Sequence, residues 1–302
     1  MADIDHVVGL GEVLWDIFPD RSCFGGAPAN FACSVAGVGR GSVKAWMLSA
    51  VGTDDLGQRA IAELQQRHVD VSCVQQLPQQ TGQVLVQLDS VGQASYEFAA
   101  NTAWDNLQWS DALAEFAPQV SAVCFGTLGQ RSEVSRQTIR RFVRSTSPDC
   151  LRILDINLRS PFWDSAVIRD SLPLANILKL NSDELPVVAS LLNLTGSDAA
   201  ILNEIRQRCS LRLIALTRGA NGSLLMDANG HTSDLPGQST AVVDTVGAGD
   251  AFTAAITVGL LKHLPLSELH AQAAKLAAWV CTQPGATPEI PAEFCMSRQA
   301  EI

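Results

Sequence analysis

Asp244-Thr245-Val246-Gly247-Ala248-Gly249-Asp250-Ala251-Phe252 is the stretch from which the rest of the chain is read. It follows the apolar Ala241-Val242-Val243 and runs into Ala251 to Leu261, an apolar, small-residue segment without proline. That pattern predicts a loop feeding a buried helix. Gly247 and Gly249 flank Ala248, so successive backbone N–H groups can converge where the helix begins, and a helix N-terminus built that way attracts anions. Asp250 then falls in the first turn. Two readings of it stay open on these residues: a carboxylate complementing the helix dipole, or a base taking a proton from a nucleophile that attacks a phosphoryl group.

A second glycine pair stands near the other end of the chain, in Cys23-Phe24-Gly25-Gly26-Ala27-Pro28-Ala29-Asn30. Pro28 suits an early helical position and Ala29 to Val38 continues with spacing fit for burial, which puts Asn30 in a first turn. Upstream, His6 to Val13 is an apolar run consistent with a buried parallel strand. Glu12 and Asp16 follow at its end, where ligands collect in open α/β sheets. Those two acids either accept hydrogen bonds from a hydroxylated ligand or are solvated loop acids.

Further strands are expected at Val43 to Ser49, His68 to Val74, Val120 to Phe125, Arg152 to Ile156, Asn176 to Leu180, Leu211 to Leu216 and Leu224 to Asp227. Helical patterns separate several of them, so the fold class is α/β, a doubly wound and mostly parallel sheet flanked by helices. Between Thr81 and Phe98 the periodicity changes to alternation. Val84 to Leu88 and Ala94 to Phe98, joined across Asp89-Ser90-Val91-Gly92, predict a hairpin, a candidate lid over the strand ends. At the end of the strand Arg152 to Ile156, an extended backbone would set Asp155, Asn157 and Arg159 on one face. Asp54 or Asp55 is positioned to cap a helix, and Asn181 with Glu184 can serve as a cap and a dipole-facing acid.

With 302 residues, 47% of them hydrophobic and 17% charged, the chain can bury a large core. No repeat, low-complexity run or Gly/Ser linker divides it, and one domain over 1–302 is expected. Its 21 basic and 31 acidic residues leave a net charge of −10, which argues against nucleic-acid and anionic-membrane partners. The acidic start Met1 to Asp5 lacks the features of a signal peptide, and no window approaches a transmembrane span. The eight cysteines are scattered without a C-x-x-C pair, as expected of reduced residues in a cytoplasmic protein.

The string D-T-x-G-A-G-D-A-F resembles the C-terminal signature of the ribokinase-like (PfkB) family of carbohydrate and nucleoside kinases, and Gly25-Gly26 with Asn30 matches the family's N-terminal G-G-x-x-x-N. Val51-Gly52-Thr53-Asp54 to Gly57, Asn181 to Glu184 (N-x-x-E) and Thr217-Arg218-Gly219 to Gly222-Ser223 (T-x-G-x-x-G-S) are similar to further family strings in the same order. Asp155-Ile156-Asn157-Leu158-Arg159 to Trp163 resembles the D-x-N-x-R-x-x-x-W segment of fructokinases and 2-keto-3-deoxygluconate kinases.

The resemblance implies a ribokinase-like fold whose lid is formed by segments near 14–27 and 81–105. It implies ATP-dependent phosphorylation of a sugar hydroxyl, with Asp250 as base and Gly247, Ala248 and Gly249 as the anion hole. Glu12, Asp16, Gly25, Gly26, Asn30, Asn101, Asp155, Asn157 and Arg159 would bind the acceptor, and Asn181, Thr217, Gly219 and Gly222 the nucleotide. Glu184 would hold Mg²⁺ through water, Asp244 a monovalent cation such as K⁺, and the lid would pair two copies in a homodimer, with Tyr96 or Phe98 on its exposed face. Fructose is the first acceptor expected. Ala100 stands where fructokinase-like enzymes often carry Arg, so 2-keto-3-deoxygluconate, ribose and nucleosides remain open. A non-catalytic sugar sensor on this fold would be expected to lose the base or the anion hole, and both are present. A dinucleotide-dependent dehydrogenase would need G-x-G-x-x-G after the first strand, and Gly9-Leu10-Gly11-Glu12-Val13-Leu14 lacks the third glycine.

Overall fold

The computed structural model describes residues 4–88 and 94–296. Strand β1 (Asp5–Leu10) leads to β2 (Leu14–Ile17), β3 (Ser22–Gly25) and helix α1 (Ala27–Val38), then to β4 (Val43–Gly52), α2 (Asp55–Gln66) and β5 (Val74–Leu77). Next come β6 (Gly82–Leu88), β7 (Ala94–Phe98), α3 (Asp111–Phe116), β8 (Ala122–Phe125), α4 (Glu133–Ser145), β9 (Leu151–Asp155), α5 (Ser165–Ser171) and β10 (Ile177–Asn181). The C-terminal third holds α6 (Glu184–Leu191), α7 (Asp198–Arg208), β11 (Leu213–Thr217), β12 (Ser223–Asp227), β13 (Thr232–Leu235), α8 (Ala248–Leu261) and α9 (Leu266–Val280).

Among the described residues nine strands form one sheet in the order β13-β12-β11-β10-β9-β8-β1-β4-β5. From β11 to β5 every pairing is parallel, while β12 and β13 add an antiparallel edge. The strand order reverses its direction at β1, so the fold is doubly wound, with a topological switch beside the Gly11-Glu12 turn. Alternate residues of each strand enter different cores. Val7, Met47, Cys124 and Ile153 pack with α1, α8 and α9 on one face. Val8, Leu48, Val123 and Leu154 pack with residues of α4, α6 and α7 on the other. Burial on both faces is what the near-continuous apolar strands require.

A separate four-stranded sheet has the order β3-β2-β6-β7. Within it β2 runs antiparallel to β3 and parallel to β6, and β6 is antiparallel to β7. The expected hairpin strands are therefore present, and the turn at 89–92 lies outside the described residues.

Two local expectations are corrected. The segment from His68 is not a strand until Val74, because the end of α2 consumes it: His68 is left-handed at φ 61° and Val69 N–H donates to Leu64 O at 3.0 Å. Extended backbone also stops at Asp155, since Asn157 is left-handed at φ 41° and Asp155, Asn157 and Arg159 do not continue one strand face. The expected cap is found at Asp54, whose Oδ1 accepts from Gly57 N–H at 2.8 Å and from the Thr81 hydroxyl at 2.6 Å.

Candidate active site

Most residues singled out in the sequence fall at the carboxyl ends of the parallel strands. Glu12 follows β1, Asp155 closes β9, Asn181 closes β10 and Thr217 closes β11. Helices α1 and α8 pack against one another on one face of the sheet and bring the two glycine-pair loops to the same place. Each helix starts on a glycine of positive φ, Gly26 at 109° and Gly247 at 80°, and neither has a side-chain cap. A side chain could not stand at either position. A Cβ on Gly26 would lie 2.6 Å from Glu12 O, and one on Gly247 would lie 2.3 Å from Ala286 O. First-turn N–H groups left without caps are available to an anion.

Asn30 and Asp250, on these two helices, meet directly: Asn30 Nδ2 donates to Asp250 Oδ2 at 2.8 Å. Burial, and next the Asp155 carboxylate, push the half-buried Asp250 up to about 6, against the pull of Asn30, Lys179 and Arg159. An acid in that range exchanges a proton readily near neutrality. Among the described residues, Asn30 Oδ1 is buried without a partner, as is Glu12 Oε2.

Glu12 is 3% exposed, and burial pushes it up to about 7, with Asp250 adding to the rise and Arg159 opposing it. A small cavity opens between Glu12, Pro28, Thr127, Asp155, Asn157 and Asp250. Asp16 stands nearby on the small sheet, half-buried and also raised by burial, with Gly25 beside its carboxylate. Arg159 is exposed, its NH1 donating to Leu158 O at 3.2 Å, and among the described residues it forms no salt bridge. Asn101 lies outside this group. It is exposed at the base of the small sheet, left-handed at φ 50°, and accepts from Asn106 Nδ2 at 2.9 Å.

The sequence reading passed over Lys179. It lies in the apolar run Ile177-Leu178-Lys179-Leu180, in direct register with Asp155 on the neighbouring strand, and Lys179 Nζ donates to Asp155 Oδ1 at 3.0 Å. Both side chains are buried. Burial works to strip the lysine of its proton, but Asp155, Glu184 and Asp250 outweigh it and raise its pKa. Thr253 Oγ1 completes the floor by donating toward Asp155 Oδ2 (3.2 Å) and Gly249 O (2.9 Å). The available signal was a charged residue inside an apolar strand, opposite an acid in register.

On the other side of the glycine loop, Asn181 and Glu184 form a reciprocal cap. Asn181 Oδ1 accepts from the N–H groups of Asp183 (2.9 Å) and Glu184 (3.0 Å), and Glu184 Oε2 accepts from Asn181 N–H at 2.8 Å. Glu184 Oε1 takes Leu158 N–H at 2.8 Å, and burial raises the carboxyl against the pull of Lys179. Among the described residues no group of three or more His, Cys, Asp or Glu can cage a metal. One fixed carboxylate fits an ion that keeps most of its water, as magnesium does. Thr217 pairs in register with Asn181, Gly219 opens a short turn at φ 55°, and Gly222 at φ 89° closes it. Asp244 Oδ1 and Oδ2 accept from the N–H groups of Val246 (3.0 Å) and Gly285 (3.2 Å).

All eight cysteines are free, and no helix among the described residues is long and apolar enough to cross a membrane.

Comparison with known proteins agrees with this geometry. The model for pfkB family carbohydrate kinases matches residues 21–293. A sugar kinase of Pyrococcus horikoshii is 32% identical over 296 residues, covering 92% of this chain and 90% of that protein. Its crystal structure superposes with a TM-score of 0.81 at 29% identity over 94% of each chain, and its complex with ATP gives 0.77 at 27% identity over the same shares. A fructokinase of Klebsiella pneumoniae is 31% identical over 303 residues (93% and 95% covered). An aminoimidazole riboside kinase of Salmonella typhimurium is 28% identical over 309 residues (96% and 93% covered).

Proposed function

Because this chain belongs to the pfkB family of carbohydrate kinases, we propose that it transfers the γ-phosphoryl group of ATP to a hydroxyl of a neutral sugar, fructose first. The observation that carries this reading is the Asn30–Asp250 contact at 2.8 Å, which brings the acceptor-side helix to the acid at the start of α8. Asp250 takes the hydroxyl proton as the sugar oxygen attacks the γ-phosphorus. The new oxygen–phosphorus bond forms as the bond to the β-phosphate breaks, and ADP leaves. N–H groups of Gly247, Ala248 and Gly249 hold the charge that develops on the transferred group. Glu184, with Asn181 beside it, would hold magnesium through water, and the bound ion would neutralise phosphate charge. Thr217, Gly219 and Gly222 flank the nucleotide.

Glu12, Asp16, Gly25, Gly26, Asn30, Asp155, Asn157 and Arg159 hold the acceptor, with Asn101 at the edge of its site. Four carboxylates, Glu12, Asp16, Asp155 and Asp250, face this region, Lys179 is committed to Asp155, and Arg159 forms no salt bridge among the described residues. That balance supports a neutral acceptor over a phosphorylated or carboxylated sugar. A nucleoside-like acceptor is the second reading, supported by the similarity to aminoimidazole riboside kinase.

We read the chain as one α/β domain whose small sheet closes over the acceptor and excludes water. Tyr96, exposed on that sheet, suits contact with a second copy. Phe98 does not, since it is turned against Phe162 with ring centroids 5.2 Å apart. Asp244 accepts one backbone N–H on each carboxylate oxygen, which leaves a lone pair on each for a potassium ion beside the neighbouring backbone carbonyls.

A coupled ADP-release assay over fructose, 2-keto-3-deoxygluconate, ribose and nucleosides tests the reading. The expected result is turnover with fructose and a loss of roughly 100-fold or more in Asp250→Asn. Full activity in that variant would exclude Asp250 as the base.

A further inference from the structure

Arg131 is buried at the point where the small sheet leaves the α/β body. Its side chain is 9% exposed and that of its partner Asp105 5%. The guanidinium grips Asp105 with two hydrogen bonds, Nε to Oδ1 and NH2 to Oδ2, each 2.7 Å, and NH2 also donates to Ala99 O at 2.6 Å. It lies over two rings, with Cζ 4.1 Å from the Trp104 centroid and 4.9 Å from that of Phe162. NH1 is buried without a partner among the described residues.

Each contact belongs to a different part of the acceptor site. Ala99 follows β7, and Trp104 sits so close to the start of β6 that a Cβ on Gly82 would lie 2.5 Å from its Nε1. Phe162 belongs to the loop that carries Asn157 and Arg159, and packs on Phe98 of β7. Arg131 itself ends the turn Leu128–Gln130, whose Gly129 would place a Cβ 3.3 Å from Glu12 Oε2. One planar cation therefore holds Ala99 just past β7, the Trp104 ring that backs the start of β6, and Phe162 of the Arg159 loop, from a turn that abuts Glu12.

A buried ion pair contributes little net stability compared with well-packed apolar residues of similar volume. What it supplies is geometry, because a rigid fork held on a carboxylate and over two rings admits few arrangements. Resting on the acceptor assignment above, we propose that Arg131 is a positioning residue: a clamp that fixes the small sheet and the Asn157–Trp163 loop in one arrangement around the acceptor.

Two variants separate this role from simple support of the fold. Arg131→Lys keeps the charge and loses the fork. The double variant Arg131→Met with Asp105→Asn removes both charges while leaving an oxygen for Thr102 N–H, which now donates to Asp105 at 2.9 Å. Both are expected to raise KM for the acceptor about tenfold, with KM for ATP within about twofold and the double variant melting close to wild type. Hydrogen exchange at Gly82–Leu88 and at residues 158–163 is expected to quicken together in both. A double variant with wild-type acceptor KM, or exchange unchanged in either segment, would overturn the clamp. A wild-type chain inert toward every acceptor would overturn the substrate reading instead, and the exchange measurement, which needs no substrate, would still decide the clamp.

Discussion

Asn30 on α1 donates to Asp250 on α8 at 2.8 Å across 220 residues of sequence. The bond favours the carboxylate form of Asp250, which burial holds up to about 6. A base must be ionised to act, so turnover is expected to fall as pH drops through about 6. Asn30→Ala removes a bond that favours the ionised form and should move this acid limb to higher pH. A pH–rate profile checks it, and a limb at or below the wild-type position would show that the contact does not tune the base.

The same shifts make a prediction about stability. Glu12, raised from 4.5 to about 7, binds its proton more tightly folded than unfolded. Stability therefore falls as pH rises through that window. Glu12→Gln removes the penalty of a buried charge. Its melting temperature is expected to exceed wild type at about pH 8 and to converge on it near about pH 4.5. Acceptor binding should weaken in the same variant, and a variant no more heat-stable than wild type at the higher pH would argue against a buried Glu12 charge.

Lys179→Met would leave Asp155 buried and uncompensated. Losing one partner of such a pair costs about 3–5 kcal/mol, whereas replacing both with apolar residues is often near neutral. Chemical denaturation of Lys179→Met, set beside Lys179→Met with Asp155→Leu, measures both. Recovery of most of the loss in the double variant is the expected outcome.

Glu184→Gln turns an amide group toward the N–H of either Leu158 or Asn181, which both donate to the carboxylate at 2.8 Å. A buried donor facing a donor costs about 1–3 kcal/mol. The variant should melt lower and need more magnesium for half-maximal rate. A chelator should abolish turnover in wild type, and an unchanged magnesium titration in the variant would remove Glu184 from the metal side of the site.

The glycine-pair loops were legible because they combine two local signals, a residue free of Cβ and an apolar run with helical spacing, and both loops do start helices at Gly26 and Gly247. The central strands of the sheet were equally legible, since burial on both faces makes them largely apolar, whereas the polar edge strands β5 and β13 were misplaced or missed. What escaped were relations between distant segments. Lys179 reads as an exception within its own strand, and only the register with β9 gives it Asp155 as partner. Arg131 and Asp105 look like ordinary surface charges until the turn after β8 is brought against the base of the small sheet. Asn157 failed for a local reason: its left-handed backbone ends the extended alternation assumed from spacing alone.

Asp250 and the Gly247–Gly249 loop start α8, which packs on α1, whereas Asp16 stands on a sheet of its own. An engineer can treat these as two parts. Changes in β2, β3, β6 and β7 should alter which molecule is accepted while leaving the proton transfer intact. Changes where α1 meets α8, as at Asn30, should slow every acceptor alike, so a panel of acceptors becomes an assay for which part a substitution has touched.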